Sequence, residues 1–147
     1  MSGAGGAERG ARRPEVGFSV THRRYVPYAH AHYGGNLVDG AYGLAMFGDV
    51  ATDLAIHTDG DESLLAGYSD VEFLAPIQAG DVVEVTATVT RVGTRSRDLA
   101  FEARVLCRAA PERGASAADV LDPPVVATKA AATIVVPPKS GGGAAPA

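Results

Sequence analysis

The second half of the chain alternates apolar and polar residues, and this pattern constrains the fold more than any other feature of the sequence. Between positions 83 and 89 valine and alanine alternate with glutamate and threonine, and the same pattern returns from Leu99 to Cys107. A period of two places successive side chains on opposite faces of a strand. One apolar face per strand is typical of antiparallel sheets. The sequence therefore predicts an antiparallel sheet with its core on one face.

Three further segments have the composition of strands. They are Phe18–Tyr25, Leu64–Ala75 and the β-branched run Val125–Val136. Gly93-Thr94 supplies a turn between the two alternating strands, and residues 76–81 supply another before them. Residues 108–124 are rich in proline, glycine and small side chains, which predicts a long loop.

One segment, Asn36 to about His57, has helical spacing. Its small and apolar residues form a stripe at about 100° per residue, namely Leu37, Ala41, Leu44, Gly48, Ala51 and Ala55. Asn36 is expected to cap the helix, and Asp59-Gly60 to end it. Three glycines inside a helix each cost about 1 kcal/mol relative to alanine, so this helix is expected to pack closely. We predict an α+β architecture, with one long helix wrapped by a curled antiparallel sheet of about five strands.

Composition limits the organisation and the partners of the chain. Its 147 residues and 15.0 kDa predict one domain over residues 17–136, with disordered tails at 1–16 and 137–147. A net charge of −4 argues against nucleic acid, and no apolar run reaches the ~18 residues of a membrane span. His30 and His32 have no acid or cysteine at ligand spacing, so no metal site is predicted. The expected location is the cytoplasm.

Acidic residues recur on the helix face opposite the predicted apolar stripe. This face carries Asp39, Tyr42, Met46, Asp49 and Asp53, and it is expected to have no lysine or arginine partner. A solvated surface is one explanation. The other is a sheltered cleft, because desolvation and like-charged neighbours would raise the pKa of a carboxyl group there, as a general base requires.

The segment AHAHYGGN, residues 29–36, directly precedes the predicted helix. Gly34-Gly35 allows close approach of a ligand to the backbone, and N–H groups at a helix N-terminus can hold an anion or an oxyanion. An ordinary loop followed by a helix cap explains the same residues equally well. The segment lacks the Gly-Lys-Ser/Thr of a phosphate-binding loop.

Several stretches together resemble the hotdog-fold ammonia lyases that act on 3-aminobutyryl-CoA and β-alanyl-CoA. In chain order they are AHYGGNLVDGA (31–41), FGDVATDL (47–54), DGDESL (59–64), VEFLAPIQAGD (71–81), SR with FEAR (96–97, 101–104), SAADVLDPPVV (116–126) and IVVPPK (134–139). They cover most of the predicted domain. Many hotdog thioesterases contain words similar to VEFLAPIQAGD, whereas the first, second and sixth stretches together are more specific.

The resemblance implies reversible loss of ammonia from a 3-aminoacyl-CoA, giving the 2,3-enoyl-CoA. Coenzyme A enters as part of the substrate, and no metal or redox cofactor is expected. Asp49 is the favoured base, near the acidic residue of hotdog thioesterases, with Asp39 second and Glu72 as a competitor. The remaining candidates are His32 and Tyr33 for orienting or protonating the thioester, Gly34, Gly35 and Asn36 for its carbonyl, and Arg95, Ser96, Arg97 and Lys129 for coenzyme A.

The resemblance also implies assembly, because hotdog subunits generally pair through their sheet edges and share acyl pockets. A homodimer or a larger homo-oligomer is therefore expected, and an exposed sheet edge is an independent reason for it. Two other functions stay open. One is an acyl-CoA thioesterase, in which Asp49 would activate water or attack the thioester. The other is a module that binds acyl-CoA without turnover. An enoyl-CoA hydratase fits less well, because His32 precedes Asp39 here.

Overall fold

The computed structural model describes residues 13–138, so most of the two predicted tails, residues 1–12 and 139–147, lies outside the described residues. One long helix and five strands make up the fold. They are β1 (Ser19–Tyr25), α1 (Gly40–Asp59), β2 (Leu64–Phe73), β3 (Val82–Val92), β4 (Ser96–Ala109) and β5 (Ala118–Val135). Two single-turn 3₁₀ helices, Tyr28–His30 and Gly34–Asn36, lie between β1 and α1. Within the described residues, no helix is long and apolar enough to cross a membrane.

The five strands form one sheet in the order β1-β3-β4-β5-β2, and all neighbours are antiparallel. β2 follows the helix in sequence but pairs with β5, at the edge opposite β1. In that pairing Phe73 lies opposite Thr128 and Glu72 lies opposite Lys129. The predicted fold, one helix against an antiparallel sheet of five strands, is confirmed.

The core lies between α1 and the inner face of the sheet. The alternation in β3 buries one face of the strand as predicted, because its apolar residues from Val83 to Val89 are buried. Phe47 of the helix stacks on Phe101 of β4 with ring centroids 4.8 Å apart. Such contacts add to the burial of apolar surface that fixes the helix across the sheet.

The helix begins later than predicted, and Asn36 does not cap it. Asp39 is the N-cap, and its Oδ1 accepts a hydrogen bond from the backbone N–H of Tyr42 at 3.1 Å. Asn36 instead has a left-handed backbone with φ of 62° and ends a separate 3₁₀ turn. The predicted end of the helix is confirmed, because Gly60 adopts a left-handed C-cap with φ of 64°.

The predicted faces of the helix were partly wrong. Tyr42 and Met46, assigned to the polar face, are buried in the core, whereas Ala41 of the predicted apolar stripe is exposed. Alanines and glycines defined that stripe, but the large side chains Phe47, Val50 and Leu54 bury more apolar surface and so determine which face is inside. The true buried face is therefore rotated toward Tyr42 and Met46.

The predicted long loop at 108–124 was also wrong, because only residues 110–117 lie between β4 and β5. Pro123 and Pro124 belong to β5, although proline is rare inside strands because it has no N–H group to donate. The register explains this. Val105 lies opposite Val125 and Cys107 opposite Val120, so residues 121–124 fall within a shift of the ladder. Prolines are tolerated at such irregularities, where no ladder hydrogen bond is lost.

Candidate active site

A pocket of about 450 Å³ opens beside the N-terminus of α1. Three parts of the chain form it: the helix entrance, the connection that follows β2, and the inner face of β5. Its lining residues are Tyr33, Val38, Asp39, Gly40, Gly43, Phe73, Leu74, Ala75, Pro76, Ile77 and Thr128. Its size and mainly apolar lining are those of a site for a small molecule.

The pocket has an exposed rim and a buried floor. Tyr33, Phe73 and Leu74 are each more than half exposed. Ile77 and Thr128, in contrast, are only 4% and 3% exposed. A ligand would therefore enter past aromatic and aliphatic side chains and reach a sheltered end wall.

Backbone hydrogen bonds hold the segment before the helix against the β2–β3 connection. The N–H groups of His32 and Tyr33 both donate to the carbonyl of Leu37, at 2.8 and 2.9 Å. Val38 N–H donates to the carbonyl of Ile77 at 2.9 Å. The left-handed backbone of Gly35, with φ of 74°, helps to close the turn. These contacts place Tyr33 on the pocket rim.

The structure separates the predicted backbone cradle from the helix N-terminus. Gly34, Gly35 and Asn36 occupy their own 3₁₀ turn, are exposed and do not line the pocket. Gly40 instead provides the first N–H group of α1 and does line it. The first N–H groups of a helix have no partner within the helix and lie at the positive end of its dipole. The N–H groups suited to an oxyanion thus belong to the helix start, not to the double glycine.

Asp39 is the only carboxylate among the residues that line this pocket. Its Oδ1 caps the helix, and its Oδ2 has no hydrogen-bond partner among residues 13–138. The carboxylate is therefore held in place by one oxygen while the other can interact with a ligand. His32, also predicted to act on a thioester, stacks edge-on against Tyr33 at a centroid distance of 4.5 Å and is itself exposed.

The structure does not bring Asp49 to this pocket. Ten residues separate it from Asp39, or about 15 Å along the helix. Its side chain is 58% exposed and pairs with Arg24 of β1, the Nη2–Oδ2 distance being 2.7 Å. The Tyr42 hydroxyl and, next, the Asp49 carboxylate raise the pKa of Arg24. The expectation that the acidic face has no cationic partner was therefore wrong.

Arg24 and His22, both on β1, were not predicted to pair with the acidic residues of the helix. His22 Nε2 lies 2.6 Å from Oδ2 of Asp53, and His57 Nδ1 lies 3.1 Å from Oδ1 of the same carboxylate. The signal was present in the sequence, since residues 22 and 24 share one face of β1 and the acidic residues 49 and 53 are one helical turn apart. The pairs formed by His22 and Arg24 join β1 to the helix, whereas the pair between His57 and Asp53 lies within the helix.

Glu72 and Lys129 lie on the sheet face that is turned away from the pocket. They are opposite each other across β2 and β5, and so share one face. Their neighbours Phe73 and Thr128 line the pocket from the other face. Glu72 is therefore no longer a competitor for the base of this pocket. Lys129 borders a second, shallower depression with Glu102 and Arg104 on the outer face.

The predicted coenzyme A contacts at residues 95–97 lie near the opposite end of α1. Arg97 is 6% exposed and forms an ion pair with Asp59 at 2.8 Å, close to the helix C-terminus. It also donates to the carbonyls of Gly93 and Ser96. Arg97 therefore has a structural role, which contradicts the predicted phosphate contact. Ser96 Oγ accepts from Arg91, and the exposed Arg95 stays a prediction.

Comparisons with known proteins agree with this architecture. The family model of the thioesterase superfamily matches residues 33–110, which include the pocket-forming segments at the helix entrance and after β2. An acyl-CoA hydrolase from Staphylococcus aureus has the same fold, with a TM-score of 0.62 and 21% identity over 80% of this chain and 62% of its own. The fold and the pocket thus define a hotdog protein of the thioesterase superfamily.

Two relatives narrow the family. The 3-aminobutyryl-CoA ammonia lyase of Acetoanaerobium sticklandii is 52% identical over 96 residues, covering 65% of this chain and 76% of the relative. The β-alanyl-CoA:ammonia lyase of Clostridium propionicum has a TM-score of 0.78 and 35% identity, covering 83% of this chain and 87% of its own. The chain belongs to the family of these CoA-dependent ammonia lyases.

Proposed function

We propose that this protein is a carbon–nitrogen lyase that reversibly eliminates ammonia from a 3-aminoacyl-CoA such as 3-aminobutyryl-CoA. The observation that carries the proposal is the pocket at the start of α1, in which one carboxylate and one helix N-terminus meet an apolar end wall. The names of the two ammonia-lyase relatives support the same reaction. The proposed location is the cytoplasm.

The first chemical requirement is a polarised thioester. We place the thioester carbonyl oxygen at the Gly40 N–H, at the positive end of the helix dipole. When the proton at C2 leaves, negative charge develops on this oxygen as an enolate. A preorganised N–H donor stabilises that charge, and removing one such donor from other enzymes costs about 3 kcal/mol.

The second requirement is a base. We assign this role to Asp39 instead of Asp49, because Asp39 lines the pocket and keeps Oδ2 available. The substrate reacts with its 3-amino group protonated. Asp39 takes the C2 proton, the C2–C3 double bond forms, and the C3–N bond breaks with its electron pair going to nitrogen, so that the ammonium group leaves as ammonia. In the reverse direction ammonia adds to C3 and protonated Asp39 returns the proton to C2. That no metal or redox cofactor takes part stays a prediction.

The exposed edge of β2 supports assembly with a second copy of the chain. Leu64 and Phe73, near the two ends of this edge strand, are 66% and 59% exposed. An edge strand with apolar side chains is prone to pair with another strand. We therefore propose a homodimer or a larger homo-oligomer joined at β2, which light scattering would reveal as a multiple of 15.0 kDa.

The decisive experiment supplies crotonyl-CoA with and without ammonium and follows the absorbance of the enoyl thioester. We expect the absorbance to fall only when ammonium is present, with formation of 3-aminobutyryl-CoA confirmed by mass spectrometry. A fall of equal rate without ammonium would indicate hydration or thioester hydrolysis and would contradict the proposal, as would no change in either case.

A thioesterase is the second candidate, because the family model that matches residues 33–110 is that of the thioesterase superfamily. In that reaction Asp39 would activate water for attack on the thioester carbonyl. Butyryl-CoA with a thiol reagent distinguishes the two functions, because it has no 3-amino group to eliminate. Release of free coenzyme A from butyryl-CoA, with no ammonium-dependent product from crotonyl-CoA, would favour hydrolysis.

A further inference from the structure

The end wall of the pocket carries an inference about substrate size. Gly43 lies one turn beyond Gly40 on the same side of α1, about 4.5 Å further along the axis. Gly43 and Thr128 are both buried and both line the pocket, opposite the exposed rim. The rise of about 4.5 Å from Gly40 to Gly43 is close to the length of a chain of about four carbons.

Gly43 keeps this space open. A Cβ atom at position 43 would lie 3.6 Å from Thr128 Oγ1 and 4.0 Å from its methyl carbon, which is ordinary van der Waals contact. Position 43 can therefore accept alanine without a clash, and the added methyl group would occupy space at the end wall of the pocket. Gly40 differs, because a Cβ there would come within 2.8 Å of the Phe73 ring.

We propose that Gly43 and Thr128 determine the acyl-chain length that this protein accepts. The inference rests on the proposed function, since it takes the ligand of the pocket to be an acyl-CoA. Gly43 makes room for the last carbon of the chain at the cost of helix stability, because glycine is a poor helix former. Thr128 closes the wall with its methyl group and hydroxyl.

Gly43→Ala provides the test, read as binding of propionyl-CoA and butyryl-CoA by calorimetry with the full chain. One carbon in an apolar pocket changes affinity by about 10-fold or more. We expect the affinity for butyryl-CoA to fall by about 10-fold relative to the affinity for propionyl-CoA. The Tm should rise by about 2–4 °C, because alanine has a higher helix propensity than glycine. An unchanged ratio of the two affinities in the folded variant would overturn the inference.

Gly48→Ala is the matched control. Gly48 lies in the same helix, outside the pocket, and a Cβ there would meet nothing within 4 Å among the described residues. The Tm of this variant should also rise, but the ratio of its affinities for butyryl-CoA and propionyl-CoA should equal that of the wild type. Thr128→Ser removes a methyl group from the wall and should shift the preference toward the longer chain. An equal change of ratio in both alanine variants would also contradict the proposal.

The binding measurement separates this inference from the proposed reaction. Saturated acyl-CoA thioesters without a 3-amino group bind but cannot undergo elimination. A changed ratio of their affinities would therefore support the role of Gly43 and Thr128 even in a protein that shows no ammonia-dependent turnover. Failure of the wild-type chain to bind either thioester would overturn the inference, because the pocket would then not hold an acyl chain.

Discussion

Asp39→Asn is expected to lower the rate of ammonia addition to crotonyl-CoA by about 10²–10⁴-fold, the usual contribution of a general base. Asparagine keeps the size of the side chain but cannot accept the C2 proton. It is also as good a helix N-cap as aspartate, so the hydrogen bond to the Tyr42 N–H can persist. The Tm of the variant should therefore stay near that of the wild type, which distinguishes lost chemistry from lost folding.

Asp49→Asn is the comparison variant for this prediction. Asp49 is more than half exposed and lies outside the pocket, where it pairs with Arg24. A surface ion pair contributes about 0–1 kcal/mol, so we expect a small effect on stability and a turnover close to wild type. An active Asp39→Asn protein together with an inactive Asp49→Asn protein would move the base to Asp49.

Asp81→Asn is expected to destabilise the fold by about 3 kcal/mol, because it removes one partner of a buried ion pair. Asp81 is fully buried, and its two carboxylate oxygens accept hydrogen bonds from Arg108 at 3.0 and 2.8 Å. Oδ2 also accepts from the Gln78 N–H at 2.8 Å. This pairing raises the pKa of Arg108. An arginine side chain stays protonated in proteins even without such a partner, so its charge would remain after the substitution.

Urea unfolding at neutral pH measures this effect as a change in the free energy of unfolding. The matched control is Asp119→Asn, whose carboxylate pairs with Arg113 at 2.5 Å while both side chains are about half exposed. The control should lose less than about 1 kcal/mol. Equal losses in the two variants would mean that the buried pair has no special part in stability.

The sequence predicted the sheet well because strand alternation is a local signal. Along β3 the buried residues are those that the alternation selects, and the helix ends at Gly60 as its turn residues indicate. Pairing partners are not local. No local sequence pattern indicates that β2 pairs with β5. The register shift that accommodates Pro123 and Pro124 is likewise a property of two paired strands, β4 and β5.

The candidate site was predicted in part, and the error in its backbone cradle arose at the helix start. Placing the helix start at Asn36 instead of Gly40 moved the expected N–H cradle to Gly34 and Gly35. Two adjacent glycines are a clear sequence signal for a backbone turn, whereas the true helix start is marked only by the single N-cap residue Asp39. Asp49 was favoured over Asp39 because it lies near the acidic residue of hotdog thioesterases. Its partner Arg24 is 25 residues away on β1, so the ion pair becomes visible only in three dimensions.

The most direct measurement is a crystal structure of the Asp39→Asn protein with 3-aminobutyryl-CoA, which that variant should bind and convert only very slowly. We predict that the thioester oxygen accepts a hydrogen bond from the Gly40 N–H, that C2 lies beside the side chain at position 39, and that the terminal methyl group contacts Gly43 and Thr128. An acyl chain beside Asp49, with the pocket at the start of α1 filled only by water, would contradict this account.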